Sequence, residues 1–309
     1  MEKVSIVITT YNRPELLGIA IKSALMQTYR NIEVIVVDGS SDYKTSEVLK
    51  YYKNRIVVVK DKKNIGVAAA RNIGLNEYSG DYITFLDDDD IFHPKKIEEQ
   101  IKLFEKKGNI GMVYCPVALK INNKLIYKPL SGKNNHWIRL RFQNPIIMTP
   151  LIKKECILKC GLFDESLMYY EDRDLWYRIG KKFQFNFINY PYYIWYNLDI
   201  GRLSKQKDTI CKYKKILYEK HKNDFDDKDV YFSELHWELA NVYSRFKDYK
   251  KFFEHFKKSI EINPKILPLI IKLYSKSTLE NINDITKIGY KKQKIDEEIK
   301  KLISINPSY

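Results

Sequence analysis

The sequence is poor in the groups that build covalent or metal frameworks. Its four cysteines (Cys115, Cys156, Cys160 and Cys211) form no CxxC pair. Cys156 and Cys160 could share a helix face, but neither has a histidine at metal-ligand spacing. The thiols therefore read as buried and reduced, as in a cytosolic protein. No run of about 18 apolar residues exists, which excludes a spanning helix. The opening Met-Glu-Lys-Val-Ser lacks a basic segment followed by an apolar one, so no secretory signal is expected. Arg/Gly and Arg/Ser tracts are missing too. The formal net charge of +15 is spread from end to end, which sets nucleic acid aside as the favoured partner. The excess of lysine then points to an anionic leaflet or a phosphorylated small molecule. A cytoplasmic location is expected, with peripheral contact at the inner face of the cell membrane as its extension.

What is present suits a sizeable core. Of 309 residues, 44% are hydrophobic and 24 are tyrosine, a side chain that fills cores and also offers a polar tip to sugars and bases. Strand-like and helix-like segments alternate through the first hundred residues. Val4–Thr10, Glu33–Val37, Arg55–Lys60 and Asp81–Leu86 read as strands. Segments 13–27, 44–53 and 67–76 read as helices between them, the first with Pro14 in its opening turn. This rhythm predicts a mainly parallel sheet with helices on its faces. Ligands of such sheets sit at the carboxyl ends of the strands. The polar clusters Thr9–Asn12, Asp38–Asp42, Asp61–Asn64 and Asp87–Asp90 are thus expected on one edge.

Three segments carry chemistry. Asp87-Asp88-Asp89-Asp90 follows a buried strand, and four adjacent carboxylates repel one another unless a cation or many donors are present. Asp87 and Asp89 form a DxD suited to a hard divalent ion; an acidic surface loop or helix cap is the plain alternative. Glu171-Asp172-Arg173-Asp174 opens a helix, where carboxylates serve as caps or supply a base for an attacking hydroxyl. Asn64–Gly74 (NIGVAAARNIG) combines close-packing glycines with Arg71, a planar fork for phosphate or base.

These segments resemble glycosyltransferase family 2, inverting enzymes of the GT-A fold. The match runs through VSIVITTYNRPELL from Val4, Gln27-Thr28-Tyr29, VVDGSSD from Val36, NIGVAAARNIG, YITFLDDDD from Tyr82, Pro94-Lys95-Lys96-Ile97, GLFDE from Gly161 and EDRDLWYR from Glu171. The resemblance covers roughly the first 200 residues. It implies that Thr9 and Tyr11 pack against the nucleotide base and that Asp38 hydrogen-bonds uracil or ribose. VDGS has one Asp fewer than the common VDDGS, so the family position that Asp38 fills is open. It further implies that Arg71 lies near the base and diphosphate and that Asp87, Asp88 and Asp89 form the DxD region. Asp89 and Asp87 would ligate Mn²⁺ or Mg²⁺, and Asp172 would be the catalytic base, with Glu171 and Asp174 as alternates. Trp176 and Arg178 would shape the acceptor side or pack. The implied reaction moves a sugar from a nucleotide diphosphate donor, most commonly UDP-linked, to a glycan, lipid-linked or protein acceptor.

The expected organisation is a GT-A domain over 1–204, with a nucleotide-binding half (1–100) and an acceptor-binding half (101–204), followed by a helical region over 205–309. Leu235–Pro264 resembles a single tetratricopeptide repeat through Leu239, Ala240, Tyr243, Asp248-Tyr249 and the closing Ile262-Asn263-Pro264. One repeat cannot bury its own face, so a hairpin rather than a solenoid is expected. The Lys-rich stretches 212–222 and 291–301 are solvated faces or leaflet contacts. Oligomeric state stays open. A catalytically silent sugar-nucleotide-binding scaffold is the rival function.

Overall fold

The computed structural model describes residues 2–62, 66–105, 109–121, 124–127, 149–195, 207–224 and 228–264. Asn64, Ile65, Gly132, Pro145, the expected break near 204 and the Lys291–Lys301 stretch lie outside the described residues.

The first half folds as its periodicity predicts. Strands β1 (Val4–Thr10), β2 (Ile32–Asp38), β3 (Val57–Lys60) and β4 (Tyr82–Asp87) alternate with helices α1 (Pro14–Leu25), α2 (Tyr43–Tyr52) and α3 (Val67–Glu77). The first, second and fourth strands each contain five consecutive buried residues, as expected where helices cover both faces of a sheet. Pro14 begins α1, and Asp42 caps α2 by accepting from Thr45 N at 2.8 Å. Gly66 enters α3 at φ 118°, a backbone region that residues with a Cβ rarely adopt. On the same helix, a Cβ at Gly74 would stand 2.4 Å from Val7 Cγ1. Glycine here lets α3 lie directly on β1.

After β4 the chain departs from the simple alternation. It continues through β5 (Asp90–Phe92), α4 (Lys96–Phe104), β6 (Ile110–Tyr114), β7 (Val117–Ile121), β8 (Lys124–Tyr127), β9 (Leu151–Lys153), α5 (Lys154–Cys160), α6 (Glu171–Gly180), β10 (Gln184–Phe187) and β11 (Tyr193–Trp195). The large sheet has the order β10-β6-β9-β4-β1-β2-β3, and a smaller one runs β5-β11-β7-β8. Strand β9 is antiparallel to both β4 and β6, while β1, β2, β3 and β4 are parallel. Strand β3 ends the order, with Val57 and Val58 exposed. One apolar core, from Val4 and Ile6 to Trp176 and Tyr193, joins these layers.

The chain divides into two compact units, Met1–Leu217 and Tyr218–Tyr309, the division falling within α7 (Lys207–His221). In the second unit, α8 (Lys228–Arg245) and α9 (Tyr249–Ile262) form the expected hairpin. Phe252 and Phe256 of α9 are buried. Close approach occurs at Ser233 and Ser259, each hydroxyl donating to the other's carbonyl at 2.8 Å. No helix among the described residues is long and apolar enough to cross a membrane.

Candidate active site

Parallel pairing places the strand ends side by side. Thr10 lies opposite Asp38, Thr9 opposite Asp87, and Asp38 opposite Lys60. Asp61 continues the row by donating its backbone N–H to the Asp38 carbonyl at 2.9 Å. The loop after β1 is locked to the loop after β2. Asn12, at φ 52°, donates its N–H to Ser40 Oγ at 2.8 Å, and its side-chain oxygen accepts from Ser41 N at 3.1 Å. Tyr11 is half exposed on this loop, and Thr9 is partly buried. Asp38 is buried, accepting from Ser40 N at 2.8 Å and from Lys60 Nζ.

At the end of β4 the four aspartates divide. One oxygen each from Asp87, Asp89 and Asp90 falls within 4.8 Å of the others. That all-oxygen set, strongly negative and partly buried, fits a hard divalent cation. Asp88 turns away: its Oδ2 accepts from Thr10 Oγ1 at 2.7 Å and its Oδ1 from Arg13 Nη1 at 3.1 Å. The same Nη1 reaches Asp89 Oδ2 at 3.2 Å. Burial pushes the Asp88 carboxyl up to about 6; Thr10 and Arg13 pull it down, while Asp89 and Asp87 add to the rise. Asp90, which the sequence reading did not place among the ligands, accepts from Tyr193 Oη at 2.9 Å. That bond joins the cluster to β11.

The second acidic patch is brought to the first by Arg71. Its Nη2 donates to Asp87 Oδ1 at 2.9 Å and its Nη1 to Glu171 Oε1 at 2.6 Å. The guanidinium is 4% exposed and lies over the Phe163 ring, 5.6 Å from its centroid. Burial works against its charge, but Asp87 and Glu171 outweigh that, and its pKa is raised. Glu171 is pushed up by burial and by Asp172, against the pull of Arg71. Glu171 thus holds a proton more readily than an ordinary glutamate. Asp172, at the first turn of α6, accepts from Arg173 N at 2.6 Å. Tyr170, just before this turn, is left-handed at φ 65°.

Two further charged groups of α6, Asp174 and Arg178, pair with each other. Asp174 is fully buried and binds Arg178 through Nε at 3.0 Å and Nη2 at 2.8 Å. Arg178 also donates to the carbonyls of Cys160 and Leu162. Trp176 is fully buried beside Phe163, and its Nε1 finds no acceptor among the described residues.

The segments that carried the resemblance contact one another. Asn72 donates to the Phe163 carbonyl at 3.0 Å and to Glu165 at 2.8 Å, and accepts from Phe163 N at 2.9 Å, joining NIGVAAARNIG to GLFDE. Gln27 donates to the His93 carbonyl at 3.0 Å and accepts from Ile97 N at 3.1 Å. Thr28 N donates to the Pro94 carbonyl at 2.8 Å. The sequence reading also missed Arg13. A single arginine in a loop has no period to betray it, although it stands within VSIVITTYNRPELL.

A mainly parallel sheet whose carboxyl edge carries a cation-type cluster beside a helix-borne carboxylate pair defines the GT-A class. The chain belongs to glycosyl transferase family 2, whose sequence pattern matches residues 5–169, more than half its length. It is 30% identical over 291 residues to an uncharacterized glycosyltransferase of Haemophilus influenzae, covering 88% of this chain and 96% of that one. An uncharacterized glycosyltransferase of Rickettsia typhi is 37% identical over 185 residues, 57% of this chain. The present chain spans only 58% of that relative's length. An Escherichia coli relative, the UDP-Glc:alpha-D-GlcNAc-diphosphoundecaprenol beta-1,3-glucosyltransferase WfgD, is 32% identical over 187 residues, 60% of this chain and 73% of its own. Two solved structures share the fold. S. aureus TarS 1-349 in complex with UDP-GlcNAc has a TM-score of 0.62 at 16% identity, covering 84% of this chain and 81% of that one. Mannosyltransferase PcManGT from Pyrobaculum calidifontis, in complex with GDP-Man and Mn2+, has a TM-score of 0.59 at 15% identity, covering 90% and 80%.

Proposed function

We propose that this chain transfers a sugar from a UDP-linked donor to an acceptor hydroxyl by one inverting displacement, with Asp172 as base. The observation that carries the reading is Arg71, whose two bonds hold Asp87 and Glu171 on one guanidinium. Through it, carboxylates distant in sequence meet at one edge. Asp87, Asp89 and Asp90 would hold Mn²⁺ or Mg²⁺. A bound divalent ion supplies charge neutralisation at the leaving diphosphate. Asp172 accepts the acceptor proton as its oxygen attacks the anomeric carbon from the face opposite the diphosphate. Glu171 and Arg71 hold the first turn of α6 in place for that transfer. Thr9, Tyr11 and Asp38 line the edge where the base would lie, with Asp38 shared between Lys60 and Ser40. The UDP-GlcNAc complex of TarS supports a uridine donor on this fold, and the GDP-Man complex of PcManGT sets the competing base. WfgD's diphosphoundecaprenol acceptor supports a lipid-linked acceptor, reached by peripheral contact at a leaflet. In this reading residues 1–204 carry the transfer.

The test is nucleotide release by purified protein with Mn²⁺ and a panel of UDP- and GDP-sugars. Asp172→Asn is expected to lower turnover about 10²- to 10⁴-fold while donor binding persists. Tight donor binding without release by the wild type would make the chain a scaffold and overturn the reading.

A further inference from the structure

We propose that Arg13 is an internal counter-ion of the cation cluster, exchanged for the divalent ion when the cluster loads. The inference rests on the reading of Asp87, Asp89 and Asp90 as cation ligands. Asp88 and Asp89 are nearly buried, their side chains 7% and 12% exposed, and both lean on one nitrogen, Arg13 Nη1. A guanidinium binds most strongly as a two-pronged fork. Here it spends a single nitrogen on two acids, the weaker mode.

Arg13 is also built to leave. Its side chain is 32% exposed, whereas its backbone is fixed. Asn12 is tied to Ser40 and Ser41, Pro14 starts α1, and the Arg13 carbonyl accepts from Leu17 N at 3.0 Å. The side chain alone can therefore swing. Arg71 cannot follow, because its own side chain is only 5% exposed and its departure would strand the nearly buried Glu171 without its counter-ion. Of the two arginines at the cluster, Arg13 is the one that a cation can displace from Asp89. Its charge keeps the adjacent carboxylates together until then.

The experiment is calorimetric titration of full-length, metal-free protein with Mn²⁺ alone and no nucleotide. Arg13→Met is expected to bind Mn²⁺ roughly tenfold more tightly than wild type, since the ion no longer competes with a charge-assisted hydrogen bond. Arg13→Lys, which keeps the charge, should stay near wild type. Equal or weaker binding by Arg13→Met overturns the inference and leaves the cation reading standing. No binding by any of the three proteins removes both. Should Arg13→Met fail to fold, NMR of the wild-type Arg13 guanidinium during a Mg²⁺ titration decides. Rotation about Nε–Cζ is expected to speed up at the binding midpoint, and unchanged rotation overturns the inference.

Discussion

Lys96 offers a stringent test of the energetics beneath the site. It is fully buried on α4, donating to Thr84 Oγ1 at 3.1 Å and Gln100 Oε1 at 2.9 Å and lying 4.2 Å from the Phe92 ring centroid. Thr84 and Gln100 in turn bond Pro150, Thr149 and Val113, so the ammonium anchors a network joining α4, β4 and β6. Burial lowers its pKa from 10.5 to about 7, with Cys115 acting in the opposite sense. At about 1.4 kcal/mol per pH unit, that shift costs the fold at most about 5 kcal/mol when the amine is charged. The unfolded chain binds more protons between these two values, so the residue's contribution to stability rises with pH from about 7 to 10.5. Lys96→Met removes the charge and loses two hydrogen bonds worth about 1–2 kcal/mol together. The variant should therefore be more stable than wild type by about 3 kcal/mol at pH 6, with the advantage shrinking by about 3 kcal/mol by pH 9.5. Urea unfolding of both proteins at each pH measures this, and the same-pH difference cancels other titrations. A difference that stays constant across the range would refute the argument.

Two further outcomes follow from the site. Asn72→Ala strips Phe163 of both backbone partners, so it should cost about 2 kcal/mol in thermal unfolding and lower turnover through the loosened Phe163–Arg71 contact. Asp174→Asn should weaken the buried Arg178 pair, lowering the melting temperature, yet keep turnover within about tenfold of wild type. A loss as deep as that of Asp172→Asn would make Asp174 the base.

Much of this was legible because the first half follows one rule. Buried strands separated by amphipathic helices force parallel pairing, and parallel pairing sets Thr10, Asp38 and Lys60 in one row. The second half resists such reading. Strands β5, β9 and β11 are three residues long, too short for alternation to show. The pairing of Asp90–Phe92 with Tyr193–Trp195 bridges a separation that no local pattern encodes. Helix α5 went unread for the same reason: seven residues hold too few turns. The sorting of the α6 acids did leave a signal. Asp174 and Arg178 stand four apart, the spacing of a helical ion pair, whereas the residue four beyond Asp172 is a tryptophan. The burial of Lys96 left none, since a lysine in a Lys-rich sequence reads as surface.

Strand β3 has a consequence for handling the protein. The outermost rung of the large sheet is a run of three valines closed by a lysine, and an open rung of that composition invites another chain to pair with it. Brevity and the terminal ammonium are its safeguards. Because that ammonium also neutralises Asp38, swapping it for a neutral residue to probe Asp38 would strip a solubility guard in the same stroke. Variants at this position call for light-scattering controls before any change in rate is assigned to Asp38.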